Sequence, residues 1–114
     1  RQVAMFLIPG ELFPELYNGE FLNAENSANG CEADYKPLIK MTDIKNNFVV
    51  GLCNDELGYI IPKNDFILNE KTPYINATTD RLDRRHYEET NSVGPKIAET
   101  LLDTIEDIIV EVKN

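Results

Sequence analysis

Residues 48–53, Phe-Val-Val-Gly-Leu-Cys, form an apolar run broken only by Gly51, with no alternation of polar and apolar positions. A strand that reads this way has both faces covered, as in the middle of a sheet with helices on either side. Directly after it the chain turns polar at Asn54, Asp55 and Glu56, passes Gly58, and presents Tyr59 before Ile60, Ile61 and Pro62. Polar groups at the end of a buried strand are where α/β proteins place their ligands. A second place of this kind is the apolar run from Val3 that ends in Pro9-Gly10-Glu11. The two strand ends together predict that Glu11 and Tyr59 face one site.

The remaining segments are placed around these two. Val3 to Ile8 reads as a buried strand stopped by Pro9-Gly10. Glu11 to Tyr17 reads as about two turns of helix, with Pro14 tolerated because it falls in the first turn. Residues 19–34 are polar and aperiodic, a loop excursion from the core, and Lys36 to Lys45 is a weak strand in which Pro37 marks a start or an edge. Tyr59 to Ile61 continues the central run as a short strand.

Residues 63–92 are mostly polar and irregular, with a short helix over Asn64 to Asn69. Asp80 to Glu89 mixes both charge signs and reads as a solvated, internally paired surface segment. Asn76-Ala77-Thr78 is a glycosylation sequon, relevant only in a secretory context. The last element is the plainest. Ser92 or Gly94 caps, Pro95 opens the first turn, and Ile97, Leu101, Leu102, Ile105, Ile108, Ile109 and Val112 recur at three and four. Glu99, Asp103, Glu106, Asp107 and Glu111 occupy its solvent face. The predicted class is therefore α/β: a small mixed sheet with a central buried strand (48–53) and a long C-terminal amphipathic helix (95–112). Residues 1–114 are read as a single domain or sub-domain, a fragment of a larger α/β domain.

At 114 residues the chain is one domain at most. A net charge of −9 argues against nucleic acid or anionic lipid as the main partner. No apolar stretch approaches the ~20 residues needed to span a membrane. Cys31 and Cys53 lack metal-ligand spacing and read as unpaired thiols, with a disulfide open to them only in an oxidising compartment. The chain opens at Arg1, without an initiator Met, directly before a strand, and so reads as a processed or excised piece. No signal peptide is visible. Nor is there a Gly-rich phosphate loop, a nucleophile elbow or a cysteine cluster. His86 is the only histidine, so a zinc site of the usual kind cannot be completed within the chain. Taken by itself, Glu11 can project into a cleft as a metal ligand or base, or equally cap the helix predicted to follow it. Tyr59 can be a site residue or a core tyrosine with its hydroxyl at the surface.

Three segments, in order, resemble the later part of the catalytic domain of the neutral/alkaline (non-lysosomal) ceramidase family. Ile8-Pro9-Gly10-Glu11 is similar to a Pro-Gly-Glu-Phe segment whose Glu ligates zinc. Val50 to Tyr59 is similar to a Gly-Leu-x-Asn-x-x-x-Gly-Tyr segment whose Tyr lies on the zinc. Tyr87 to Pro95 is similar to a Tyr-Glu-Gly-Ala-Ser…Gly-Pro run that leads into a helix, and whose Tyr lies beside the scissile amide. The resemblance implies zinc-assisted hydrolysis of an N-acylsphingosine or another lipid-like amide. Glu11 and Tyr59 would be metal ligands and Tyr87 would be catalytic. The family's two zinc-binding histidines and its amide-cleaving Ser lie upstream of the segments matched here, so the implied partner is the upstream part of the same polypeptide. His86 stands where the family tends to carry an Arg. A secreted or cell-surface location goes with the resemblance.

On this reading the isolated chain is inactive, binds no zinc by itself, and leaves an apolar sheet edge or face uncovered, which invites a homodimer. The competing readings are a stand-alone binding or assembly module without catalysis, and a degenerate relative that kept the fold and lost the chemistry. Side chains of Glu11 and Tyr59 on opposite faces would end the site hypothesis.

Overall fold

The computed structural model of the chain describes residues 3–67 and 79–113. Strand β1 (Val3–Leu7) pairs in parallel with β3 (Asn46–Val50), Val3 opposite Asn46 through Leu7 opposite Val50. Two further short strands, β2 (Glu11–Leu12) and β4 (Tyr59–Ile60), make a second parallel pair with Glu11 opposite Tyr59. Parallel partners need a long crossover between them. It is supplied by helix α1 (Pro14–Asn18), the 19–34 excursion and a 3-10 turn at Leu38–Lys40. A four-residue helix, α2 (Tyr87–Thr90), and the long helix α3 (Ile97–Lys113) follow. Both ladders are parallel, and a single antiparallel bridge, Thr79 to Arg85, occurs among the described residues. The architecture is mixed α/β with small parallel sheets and a C-terminal helix.

The core forms where α3 crosses one face of these strands. Ala98 and Leu102 of α3 are buried with Phe6, Ile8 and Ile60, while Leu16, Leu38 and Met41 close the cluster from the crossover. Ala4 and Val49 pack on it from the same face of the β1–β3 sheet. With a least dimension of 19 Å, the molecule is about one sheet and one helix layer deep. No helix is long and apolar enough to cross a membrane.

Several expectations are corrected. The run 48–53 is not a strand covered on both sides: β3 ends at Val50, and Phe48 and Val50 are 54% and 41% exposed. It pairs with β1 alone, and among the described residues only one face of that pair is packed into the core. The strand stops because Gly51 lies 3.0 Å (from a would-be Cβ) from the Gly10 carbonyl oxygen, and because Leu52 and Asn54 turn into the left-handed region at φ 55° and 64°.

Lys36 to Lys45 is not a strand. Pro37 leads into the 3-10 turn that buries Leu38. The helix predicted over Glu11 to Tyr17 is split, since Glu11 and Leu12 are held in the ladder and the Phe13 N–H donates to the Ile60 carbonyl at 3.0 Å. Pro14, which has no N–H to place, then opens α1. The helix expected from Asn64 is a 3-10 turn at Lys63–Asp65, and its later part lies outside the described residues, as does the Asn76 sequon. Helix α3 begins two residues after Pro95. Cys31 and Cys53 are both free.

The 19–34 excursion has no regular element, yet Leu22, Ser27, Ala28 and Ala33 in it are buried. The buried Asn64 side-chain amide donates to the carbonyls of Leu22 (3.0 Å) and Cys31 (3.1 Å), and Asp65 Oδ1 accepts from the Ala28 N–H at 3.0 Å. Next to these groups sits Glu15 of α1, whose Oε2 is buried without a partner. Burial raises its carboxyl above the usual range, with the nearby Asp65 charge adding to the effect. A raised carboxylate weakens the fold above its unfolded value of about 4.3. Glu15→Gln is therefore expected to raise the thermal midpoint at pH 7, with the gain shrinking as pH falls toward 4. A midpoint lowered at pH 7 would show that the carboxylate is stabilising.

Candidate functional site

Glu11 and Tyr59 are register partners in adjoining parallel strands, so their side chains share one face. Glu11 does not cap α1: the cap position is Phe13, which makes no side-chain capping bond. Tyr59 is flanked on its other side by Ser92, with which it forms a parallel bridge, and its N–H donates to the Asn91 carbonyl at 3.1 Å. The turn carrying Asn91 and Ser92 directly follows α2, whose first residue is Tyr87. The Tyr59 hydroxyl donates toward Tyr87 Oη at 3.4 Å, beyond the usual O–H···O range and so weakly. The two rings meet edge to face at 5.5 Å, and Phe13 meets Tyr59 in the same way at 6.2 Å. The three residues singled out in the sequence thus converge, and Phe13 joins them.

Two glycines make this convergence sterically feasible. A Cβ on Gly58 would sit 2.0 Å from the Asn91 carbonyl oxygen, and its φ of 85° already disfavours a side chain. A Cβ on Gly10 would sit 2.5 Å from the Gly58 carbonyl oxygen, which itself accepts the Glu11 N–H at 3.0 Å. The Pro-Gly-Glu, Gly-Tyr and Asn-Ser backbones therefore approach as closely as bare peptide units can.

The site is rich in oxygen and negative in sign. The Tyr87 hydroxyl first, and then the nearby Glu11 carboxylate, hold the Tyr59 phenol well above the ordinary tyrosine range. Tyr87 is half exposed, so these interactions are screened by solvent. Glu11 and Tyr59 offer two hard oxygen donors, too few to hold zinc by themselves. Among the described residues no group of three or more His, Cys, Asp or Glu could hold a metal ion.

The segment Asp80 to Glu89 is internally paired, as expected, and residues 81–85 are exposed, but Asp80 and His86 are buried and anchor it. Asp80 and His86 are 8% and 4% exposed. His86 Nε2 lies 2.9 Å from Asp80 Oδ2, and His86 Nδ1 lies 3.3 Å from Glu88 Oε1. Asp80 also accepts from the N–H groups of Leu82 and Arg84 and from Arg84 Nε, at 2.8, 2.9 and 2.8 Å. His86, which precedes Tyr87, is thus a packed anchor rather than a group offered to a ligand. The spacing of Asp80 and Arg84 was the available sign of this anchor, but alternating charges on a polar stretch more often lie in solvent. A groove of about 1120 Å³ between β1 and the C-terminal half of α3 shares no residue with the Glu11–Tyr59–Tyr87 site and is not part of it. Comparison with family models, with curated proteins and with solved structures gives no match to this chain.

Proposed function

We propose that the chain is the C-terminal part of a zinc-dependent amide hydrolase of the ceramidase type. The observation that carries this reading is the meeting of Glu11, Tyr59 and Tyr87, which come from three separate motifs, around one glycine-packed backbone junction. In the reading, zinc supplies Lewis-acid assistance to amide cleavage, with its histidine ligands contributed by an upstream part of the polypeptide. Glu11 and Tyr59 complete the ligand set. Tyr87, half exposed and one ring away from Tyr59, orients a lipid-like amide and donates to its carbonyl oxygen as charge develops there. The 114-residue chain alone binds no zinc and does not turn over. A secreted or cell-surface setting goes with this proposal.

The test is zinc content and amidase activity of the full-length parent beside three variants. Glu11→Ala is expected to lose the metal and the activity together. Tyr59→Phe is expected to weaken metal retention. Tyr87→Phe should keep the metal and lower kcat by about 10²–10³, the usual effect of removing one donor to an oxyanion. A metal-free, inactive parent would replace this proposal with a non-catalytic binding module. In that module the Tyr59–Tyr87–Phe13 cluster would serve packing alone.

A further inference from the structure

The β1–β3 sheet has a second face, which is apolar and is left bare by the described residues. Val3, Met5 and Leu7 point to it from β1 and are 53%, 59% and 60% exposed. Their register partners place Phe48 and Val50 beside Met5 and Leu7 on the same face. Sheets of parallel strands are almost always covered on both faces, since the crossovers put helices there. Here α3 packs only on the Ala4–Phe6–Val49 side.

We propose that this bare face is the interface through which two copies of the chain associate, each sheet packing face to face on the other. Three features favour a second copy as the occupant. First, five large apolar side chains left about half exposed present on the order of 500 Å² of apolar surface, at the upper end of what a monomer's largest patch reaches. With a polar rim that approaches the roughly 800 Å² that each partner contributes to a standard interface.

Second, Val3, Met5, Leu7, Phe48 and Val50 include no charge, although the chain carries a net −9. The acidic residues of α3, such as Glu99, Asp103 and Asp107, lie on the opposite side of the sheet. Two copies can therefore meet here without bringing their like charges together. Third, the patch is two parallel rows of comparable side chains, which a two-fold axis makes self-complementary. The groove beside β1 shares Val3, Met5 and Leu7 with this face, but the rest of its lining is less suited, because it contains Lys45, Asp43 and Lys113. The proposal does not rest on the hydrolase reading.

Sedimentation equilibrium of the 114-residue chain from about 1 to 200 μM tests it, with far-UV circular dichroism as the control for folding. A dimer is expected, with association weakened about 100-fold or more by Phe48→Glu and by Met5→Lys. Both side chains are over half exposed, so both variants should keep the wild-type spectrum. A wild-type chain that stays monomeric at 200 μM would overturn the proposal and leave the face to another occupant. Met5 also lines the groove along α3, whereas Phe48 does not, so a dimer that survives Phe48→Glu but is lost on Ile108→Glu would place the interface in that groove, and would equally overturn the proposal.

Discussion

Gly58→Ala is expected to be among the most damaging single substitutions in this chain. The added methyl group would lie 2.0 Å from the Asn91 carbonyl oxygen, backbone that cannot swing aside as a side chain can. The φ of 85° adds a further penalty of about 1–2 kcal/mol for any residue with a Cβ. Separating the two strand ends would also break the Tyr59 N–H to Asn91 bond and the Glu11 N–H to Gly58 bond. The total loss should exceed about 3 kcal/mol, against a whole-domain stability of roughly 5–15 kcal/mol. Thermal unfolding should show a drop of at least about 12 °C. Gly94→Ala is the matched control. Gly94 also has a positive φ, 121°, but nothing lies within 4 Å of its would-be Cβ, so the loss there should be the conformational part alone. Equal effects at the two positions would mean that the close approach at Asn91 is not what makes Gly58 necessary.

Asp80→Ala is the second large effect. The carboxylate is fully shielded and accepts from two backbone N–H groups, the Arg84 guanidinium and the His86 ring. Removing it leaves those donors facing an empty space, and the expected cost is about 3–5 kcal/mol, the range for breaking a buried pair. Burial by itself would push the Asp80 carboxyl up, but these donors together hold it well below the usual carboxylate range. A depressed carboxylate contributes stability that is fully present above its unfolded value of about 3.9 and is lost as pH falls below it. The wild-type chain should therefore weaken in acid below about pH 4, and the gap between it and Asp80→Ala should narrow there. A gap that stays constant from pH 7 to pH 3 would show that the charge on Asp80 is not what stabilises the segment.

The parts of this fold that the sequence disclosed are those set by short-range chemistry. The period of Ile97, Leu101, Leu102 and Ile105 gave the long helix to within two residues, and Pro9-Gly10 and Gly58-Tyr59 marked the strand ends. That Glu11 and Tyr59 would share a face followed from two strand ends pointing the same way, although nothing local indicated that they would be register partners. What escaped was long-range. Apolar run 48–53 speaks for a strand that ought to be covered twice, but the sequence of a strand cannot state whether anything lies over it. The Asp80 anchor escaped although its partners Leu82, Arg84 and His86 are all local, because a stretch of mixed charges does not state whether its carboxylate is shielded from water. Phe13 escaped as a neighbour of Tyr59 because a helix over Glu11 to Tyr17 takes Pro14 inside its first turn, whereas Pro14 opens α1 and leaves Phe13 outside it.

The 19–34 excursion and the segment that leads to Tyr87 are also tied to one another. Arg81 Nε donates to the Ser27 carbonyl at 3.1 Å, and its Nη2 donates to the carbonyls of Glu25, at 2.7 Å, and Ala24. Arg84 Nη2 reaches the Asn26 carbonyl at 2.9 Å. Four successive peptide carbonyls of the excursion are thus gripped by two guanidinium groups from the segment that leads to Tyr87. The expected consequence is a shared opening equilibrium, with the amides of the two stretches exchanging together in a hydrogen-exchange measurement. A fluctuation that frees residues 24–27 also releases the base on which Tyr87 stands, so the meeting of Tyr87 with Tyr59 inherits the stability of a loop about sixty residues away in the chain.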